Sequence, residues 1–123
     1  LAHALARLLR DLGISEAVEW KEKSRACFLS LFALGAWYWK IPIKEACLGY
    51  LWMWAENQVL AAIKLVPLGQ TDGQKILSSV IEMIPDQVST GLSLNDEEIG
   101  YTAPGQGIAS ALHETQYTRL FRS

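Results

Sequence analysis

The sequence predicts an all-α fold, an irregular helical bundle that forms a single domain over residues 1–123. Half of the residues are hydrophobic, and they recur three and four positions apart through most of the chain. Proline and glycine stand between these periodic segments, where they commonly end helices. The chain contains no alternating polar and apolar run that is long enough to predict a strand.

Composition and charge exclude several classes of partner. Lys and Arg total 11 against 13 Asp and Glu, which gives a formal net charge of −2 and no basic surface for nucleic acid. The longest apolar stretch, residues 26–39, is broken by Ser30 and Gly35 and is too short to span a membrane. Two cysteines are too few for a disulfide-stabilised secreted domain, so we expect a cytoplasmic protein.

The first two helices are predicted from leucine spacing and from helix-end residues. A leucine stripe over Leu1–Leu12 predicts a short amphipathic helix, and Gly13 follows as its end signal. Ser15 then predicts the N-cap of a second helix over Glu16–Trp39. Residues 26–39 of that helix are apolar on nearly every side, so we expect it to be buried on several faces.

A third helix is predicted from Pro42 or Ile43 to about Val66, because proline is well tolerated in a first helical turn. Both of its sides are apolar, which indicates a central position in the bundle. The remaining predicted segments are a fourth helix capped by Thr71 or Asp72 and closed by Pro85, a short helix over 86–94, a connection over 95–105 and a helical tail over 106–123.

No grouping of residues in the sequence supports catalysis. His113 and Glu114 resemble the first half of a zinc-protease motif, but Tyr117 stands where the second histidine ligand is required. Cys27 and Cys47 lie among apolar neighbours, so we interpret both as small core residues. The sequence therefore predicts neither an enzyme nor a tightly bound cofactor or metal.

Polar residues interrupt the third predicted helix, which is otherwise apolar on both sides. The interruption consists of Glu56, Asn57 and Gln58. One interpretation is an internal hydrogen-bond network with the loop from Gln70 to Gln74, because buried polar groups are usually paired. The other is a wet path through the interior or a polar patch at an interface. Both interpretations stay open at this stage.

The end of the chain has the composition of an interaction tail. Tyr, Phe and Arg are the residue types found at interface hot spots, and they are close together in residues 117–122. A disordered terminus seldom carries so many large apolar side chains. The sequence therefore predicts that residues 106–123 bind a partner protein.

Two blocks of the sequence resemble the signatures of a known family. The first block contains Asn57-Gln58-Val59, Ala61–Leu65 and Pro67–Gln74, and the second contains Pro104, Ile108-Ala109-Ser110 and His113–Ser123. Both blocks, in this order, resemble those of the urease accessory protein UreF. The likeness is dense from about Tyr50 to the last residue, so the chain resembles the C-terminal part of that family.

This resemblance implies a function in urease maturation. UreF proteins are all-α and dimerise, and they bind a second accessory protein, UreD or UreH. That pair recruits the GTPase UreG, and the assembly passes nickel to apo-urease, so nickel is cargo in transit. The family's C-terminal segment docks on UreD/UreH, which implies a binding role for His113, Glu114, Tyr117, Arg119, Leu120, Phe121, Arg122 and Ser123. The Arg119 position is also implicated in building the complex with the GTPase.

The resemblance also implies that the family's N-terminal portion is absent from these 123 residues. Dimer contacts and part of the GTPase-facing surface are then expected to lie in that portion. Two alternatives to the urease function are a helical adaptor unrelated to nickel and a metalloenzyme that uses His113 and Glu114.

Overall fold

The computed structural model describes residues 1–22, 27–66, 68–100, 103–115 and 117, and within these ranges the fold is all α without strands. The predicted fold class is confirmed. In chain order the helices are α1 (Ala2–Asp11), α2 (Val18–Glu22), α3 (Phe28–Tyr38), α4 (Ile43–Leu65), α5 (Gln70–Ser93) and α6 (Pro104–Glu114). Short 3-10 helices at Ser15–Ala17 and Asp96–Glu98 precede α2 and follow α5. None of the described helices is both long and apolar enough to cross a membrane.

Two compact units divide the chain, Leu1–Trp54 and Ala55–Ser123. In the first unit α1 packs against the first 3-10 helix, α2 and α3. The buried core of this unit consists of Ala6, Leu9, Ile14, Ala17 and Leu31. In the second unit the buried apolar residues are Ala55, Val59, Leu77, Ile84 and Val88. Whether residues 1–123 form one domain stays a prediction.

The end of α1 is built by glycine, as the sequence predicts. Gly13 adopts a φ of 92°. This conformation costs glycine little, because glycine has no Cβ. Its N–H donates to the carbonyl of Arg10 at 2.9 Å, and the N–H of Ile14 donates to the carbonyl of Leu9 at 3.0 Å. These two bonds form a Schellman motif, and buried Leu9 and Ile14 provide its apolar contact.

The second predicted helix, over Glu16–Trp39, is wrong as one continuous element. The chain makes a 3-10 turn at Ser15–Ala17, enters α2, and is extended again at Cys27 before α3 begins. Ser15 is not an N-cap, because Ile14 holds that position and no side chain caps the turn. Ile14 and Ala17 are completely buried, so packing against α1 rather than a cap decides how the chain enters this segment.

The third predicted helix is confirmed by α4, whereas the prediction of the fourth is wrong at both ends. Gly69 rather than Thr71 or Asp72 is the N-cap of α5, so Gln70 already lies in the helix. Pro85 does not end it, and residues 86–94 are not a separate helix. A proline inside a helix costs about 3 kcal/mol.

One apolar stripe explains why α5 continues through Pro85. Gly73, Leu77, Ile84 and Val88 are all buried, and their spacing places them on one helical face. Because this stripe extends on both sides of the proline, burial of Ile84 and Val88 holds both halves in one helix. Local propensity at Pro85 is therefore overridden by packing.

Candidate interaction site

The first part of the predicted interaction tail, residues 106–123, lies in α6. Pro104 lies in its first turn, where the absent N–H of proline is not needed, and Ala103 before it is extended. The helix ends at Glu114, and Thr115 follows, with its hydroxyl donating to the carbonyl of Leu112 at 3.1 Å. His113 lies in the last turn, where a positive charge interacts favourably with the helix dipole.

All described side chains of α6 are exposed. Ile108 is 63% exposed and Leu112 is 66% exposed, and residues four apart lie on the same side of a helix. An isolated helix of 11 residues is marginal in water, particularly one with glycine at 105 and 107. The exposed pair Ile108 and Leu112 therefore gives α6 an apolar face that could be buried by a partner.

The structure describes two of the predicted site residues of the tail, and both are exposed. His113 is exposed in the last turn of α6, and Tyr117 is fully exposed just beyond it. Glu114 ends the helix, but its side chain lies outside the described part of the chain. The other five predicted site residues also lie outside it: Arg119, Leu120, Phe121, Arg122 and Ser123. Their binding roles stay predictions.

The polar residues of α4 and α5 lie at the surface of the described chain. Asn57, Gln58, Gln70 and Gln74 are exposed, and Glu56 is half-buried. No polar side chain is buried in the described ranges, which does not support the internal hydrogen-bond network. Gln70 and Gln74 also belong to the first turns of α5 rather than to a loop. The other interpretation, a wet path through the interior or a polar patch at an interface, stays a prediction.

A close approach between α4 and α5 organises the first family-like block. The Cβ of any larger residue at Gly73 would lie 2.8 Å from Cγ1 of Ile63 and 3.5 Å from Cγ1 of Val59. Gly73 is buried, so its missing side chain is what lets the start of α5 contact these two α4 residues. An exposed ion pair between Asp72 and Lys75, at 3.3 Å, lies in the first turns of α5.

Neither cysteine is buried in the core, although the sequence predicts both as small core residues. Cys27 is exposed at the N-cap position of α3, and Cys47 is half-buried in α4. Hydrogen bonds from the backbone of Ser30 and of Leu29, and from the hydroxyl of Ser30, lower the pKa of the Cys27 thiol. In the described part of the chain, no three His, Cys, Asp or Glu side chains form a group that could hold a metal ion.

Comparison with known proteins identifies the family. The UreF family model matches residues 1–81, which include α1 to α4, the Gly73 contact and the first half of α5. The chain belongs to the UreF family. This finding confirms the resemblance of residues 57–74, and the family model ends before α6 begins.

Curated relatives extend the similarity over the entire chain. A protein of Alkalilimnicola ehrlichii named urease accessory protein UreF is 53% identical over 123 residues, which is 100% of this chain and 54% of the relative. The UreF of a Marinomonas species is 44% identical over 123 residues and is covered to 53%. A Brucella anthropi protein named urease accessory protein UreF 2 is 44% identical and is covered to 54%.

The chain spans about half the length of the curated relatives it matches. No solved structure matches it. The alignments with these relatives include α6 and the tail, which the family model does not reach.

The sequence placed Ile108 and Leu112 within the predicted interaction tail, residues 106–123, but did not name either as a binding residue. Their spacing of four residues was the available signal, since it predicts one apolar helix face. The sequence could not show that both side chains would be exposed in the described part of the chain.

Proposed function

We propose that this UreF chain acts in urease maturation as a binding scaffold without chemistry of its own. In this proposal residues 113–123 dock on UreD/UreH, and the resulting pair recruits the GTPase UreG so that nickel reaches apo-urease. Nickel is cargo of the assembly rather than a resident cofactor of the chain. Family membership and the name of the relatives, urease accessory protein, support the urease role.

The exposed face of α6 is the observation that carries the docking part of the proposal. Ile108 and Leu112 form an apolar pair on a helix that is too short to be stable alone in water. A helix of this kind gains stability when a hydrophobic groove of a partner buries its apolar side. Tyr117, three residues beyond the helix end, adds a fully exposed aromatic ring for a partner to bury.

The tail residues have complementary roles in this docking. Tyr117, Leu120 and Phe121 supply apolar area, since large side chains dominate the energy of interfaces. Arg119 supplies a planar charged group that can bond two acceptors of a partner at once. His113 connects the tail to the last turn of α6, so order gained in the tail would also stabilise the helix.

Size-exclusion chromatography with purified UreD/UreH tests the proposal. The chain should co-elute with UreD/UreH, and a version that ends at Leu112 should not. Ile108→Asp should weaken co-elution by removing the apolar face of α6. Ile99→Asp is the matched control, because Ile99 has a similar exposure of 68% and lies outside α6. Equal co-elution of all four proteins would contradict the proposed docking site.

The two alternative functions predict different outcomes. A helical adaptor unrelated to nickel would not co-elute with UreD/UreH, even in the longer form of the family. A metalloenzyme that uses His113 and Glu114 would retain a stoichiometric metal after gel filtration. Metal analysis of the purified chain, with His113→Ala as control, distinguishes that outcome from the scaffold, which should carry no metal that depends on His113.

A further inference from the structure

α5 contains a proline inside the helix, nearer its end than its start. The helix runs from Gln70 to Ser93, and Pro85 lies within it. Proline has no backbone N–H, so it cannot donate to the carbonyl of Ile81, four residues earlier, as the other residue types do in an α-helix. Its ring also crowds that carbonyl. We call residues 70–84 the proximal segment of α5 and residues 85–93 the distal segment.

The two segments are buried to different extents. Gly73, Leu77 and Ile84 are buried in the proximal segment. The structure describes every residue of the distal segment, and Val88, which is 3% exposed, is the one that is buried. Leu92 is 46% exposed. Because packing of apolar side chains supplies most of the stability of a helix in a protein, the distal segment is held mainly by one side chain.

The distal segment also has a low intrinsic preference for the helical state. Its sequence is Pro-Asp-Gln-Val-Ser-Thr-Gly-Leu-Ser, in which only Gln87 and Leu92 have high helix propensity. A Cβ at Gly91 would meet no atom within 4 Å, so packing does not require the glycine there. The N–H of Leu94 donates to the carbonyl of Gly91 at 3.4 Å, which is a long bond. Local preference therefore opposes the helix after Pro85.

The distal segment connects the packed part of α5 to the part of the chain that contains α6. The start of the proximal segment contacts α4, through Gly73 against Val59 and Ile63. After Ser93 the chain continues through the 3-10 turn at Asp96–Glu98 towards α6. Nine residues span about 13 Å as a helix and up to about 30 Å when extended. Unfolding of the distal segment would therefore let α6 move up to about 17 Å farther from the proximal segment.

We propose that Pro85 makes the distal segment of α5 a hinge that opens as one unit while the proximal segment stays helical. The closed state is the continuous helix Gln70–Ser93. In the open state Val88 leaves its buried position and the connection to α6 lengthens. This opening goes beyond the proposed function, because it belongs to α5 and does not depend on the docking of α6 and the tail on UreD/UreH.

Amide hydrogen exchange, measured residue by residue on the 123-residue chain, tests the hinge. Segments that open independently exchange at different rates, and all amides of one opening unit share one protection factor. We expect the protection factors of residues 88–93 to agree within about threefold. They should be at least 100-fold lower than those of residues 77–84, with the step at Pro85.

Pro85→Ala shows whether the proline causes the step. Alanine restores the missing donor and favours the helix, so the protection factor of Val88 should rise at least 10-fold. That of Ser93 should rise less, because a continuous helix opens gradually from its end. Pro104→Ala is the matched control, since Pro104 lies in the first turn of α6, where no N–H is needed. It should leave the protection factors of α5 unchanged within about threefold.

Urea supplies a second measurement of the size of the opening unit. Opening of the distal segment exposes little surface, so exchange of residues 88–93 should accelerate less than twofold in 1 M urea. The slowest amides of residues 77–84 exchange by unfolding of a larger unit, and they should accelerate at least fivefold.

Three results would overturn the hinge. Equal protection on both sides of Pro85, with equal sensitivity to urea, would show that α5 opens as one unit. A smooth decrease in protection from Ile84 to Ser93 in the unchanged chain would mean ordinary fraying of a helix end. A step that persists in Pro85→Ala would mean that the proline does not set the boundary.

Discussion

Gly73 and Ile63 lie so close together that a methyl group on residue 73 would be 2.8 Å from Cγ1 of Ile63. Val59, one turn earlier on α4, is 3.5 Å from the same point. Gly73 is the last glycine of the run from Pro67 to Gln74 that first indicated the family. The signature therefore has a physical basis here, since a side chain at residue 73 would push α5 away from α4.

The first prediction is that Gly73→Ala destabilises the chain. The added methyl must displace Ile63, a β-branched residue with few alternative rotamers, and such overpacking costs about 1–3 kcal/mol. The better helix propensity of alanine offsets about 1 kcal/mol of this cost. Gly91→Ala in the same helix is the control, because a Cβ there meets nothing within 4 Å. In urea titrations, the free energy of unfolding should fall for Gly73→Ala. It should rise by about 0.5–1 kcal/mol for Gly91→Ala.

The second prediction concerns the end of α3, where a lysine has replaced the usual glycine. Lys40 has a φ of 56°, its N–H donates to Trp37 at 3.0 Å, and the N–H of Ile41 donates to Ala36 at 2.9 Å. This is a second Schellman motif, with a residue that carries a Cβ in the left-handed position. Because that conformation costs a non-glycine residue roughly 1–2 kcal/mol, Lys40→Gly should raise the free energy of unfolding by about 0.5–1 kcal/mol.

Gly13→Ala is the reciprocal experiment for the second prediction. Gly13 holds the same position in the motif that ends α1, so alanine there should destabilise the chain by about 1–2 kcal/mol. Opposite signs for the two substitutions in the same urea titration support the assignment of both motifs. A destabilising Lys40→Gly would mean that the lysine side chain stabilises this helix end by more than its backbone strain costs.

The fold could be predicted from the sequence wherever local and long-range preferences agree. The leucine stripe and Gly13 define α1, and the helix from Ile43 to Leu65 is also predicted correctly. The errors arise where packing overrides a local signal. Pro85 predicts a helix end, but the buried stripe through Ile84 and Val88 continues past it. Ser15 predicts an N-cap, but burial of the neighbouring Ile14 determines the 3-10 turn at Ser15–Ala17.

The third prediction is that Cys27 is the more reactive cysteine. Hydrogen bonds from the backbone of Ser30 and Leu29 lower the pKa of its thiol, so a larger fraction is thiolate at neutral pH. In a Cys47→Ala protein, the labelling rate of Cys27 should rise through a midpoint pH below that of the same protein in urea. Ser30→Ala removes only the hydroxyl contribution, so it should raise the midpoint by less than unfolding does. A folded-state midpoint at or above the unfolded one would contradict the assignment.

The fourth prediction is that Arg119→Ala weakens assembly with UreD/UreH and UreG without changing helix content. Removing a guanidinium that bonds a partner typically costs about 2 kcal/mol or more, which is roughly 30-fold in affinity. Circular dichroism should be unchanged, because Arg119 follows the last described helix. Arg7→Ala, which removes the same charge from α1, is the control. Unaltered assembly by Arg119→Ala would remove this residue from the site.

The candidate site could be predicted only in part. The tail was recognisable because Tyr117, Leu120 and Phe121 are close together at a polar chain end. An internal hydrogen-bond network was one of two interpretations left open for Asn57 and Gln58, and both residues are exposed. A hydrophobic pattern indicates that a helix face is apolar, but it does not show whether other helices of the same chain bury that face.

The affinity of the chain for UreD/UreH, with and without residues 113–123, tests the central claim most directly. Isothermal titration of purified UreD/UreH with the chain should give a single binding event, and the version that ends at Leu112 should bind at least 100-fold more weakly. This loss corresponds to about 2.7 kcal/mol of binding free energy. Equal affinity of the two versions would contradict the account, because UreD/UreH would then be bound without the tail that we propose as its docking site.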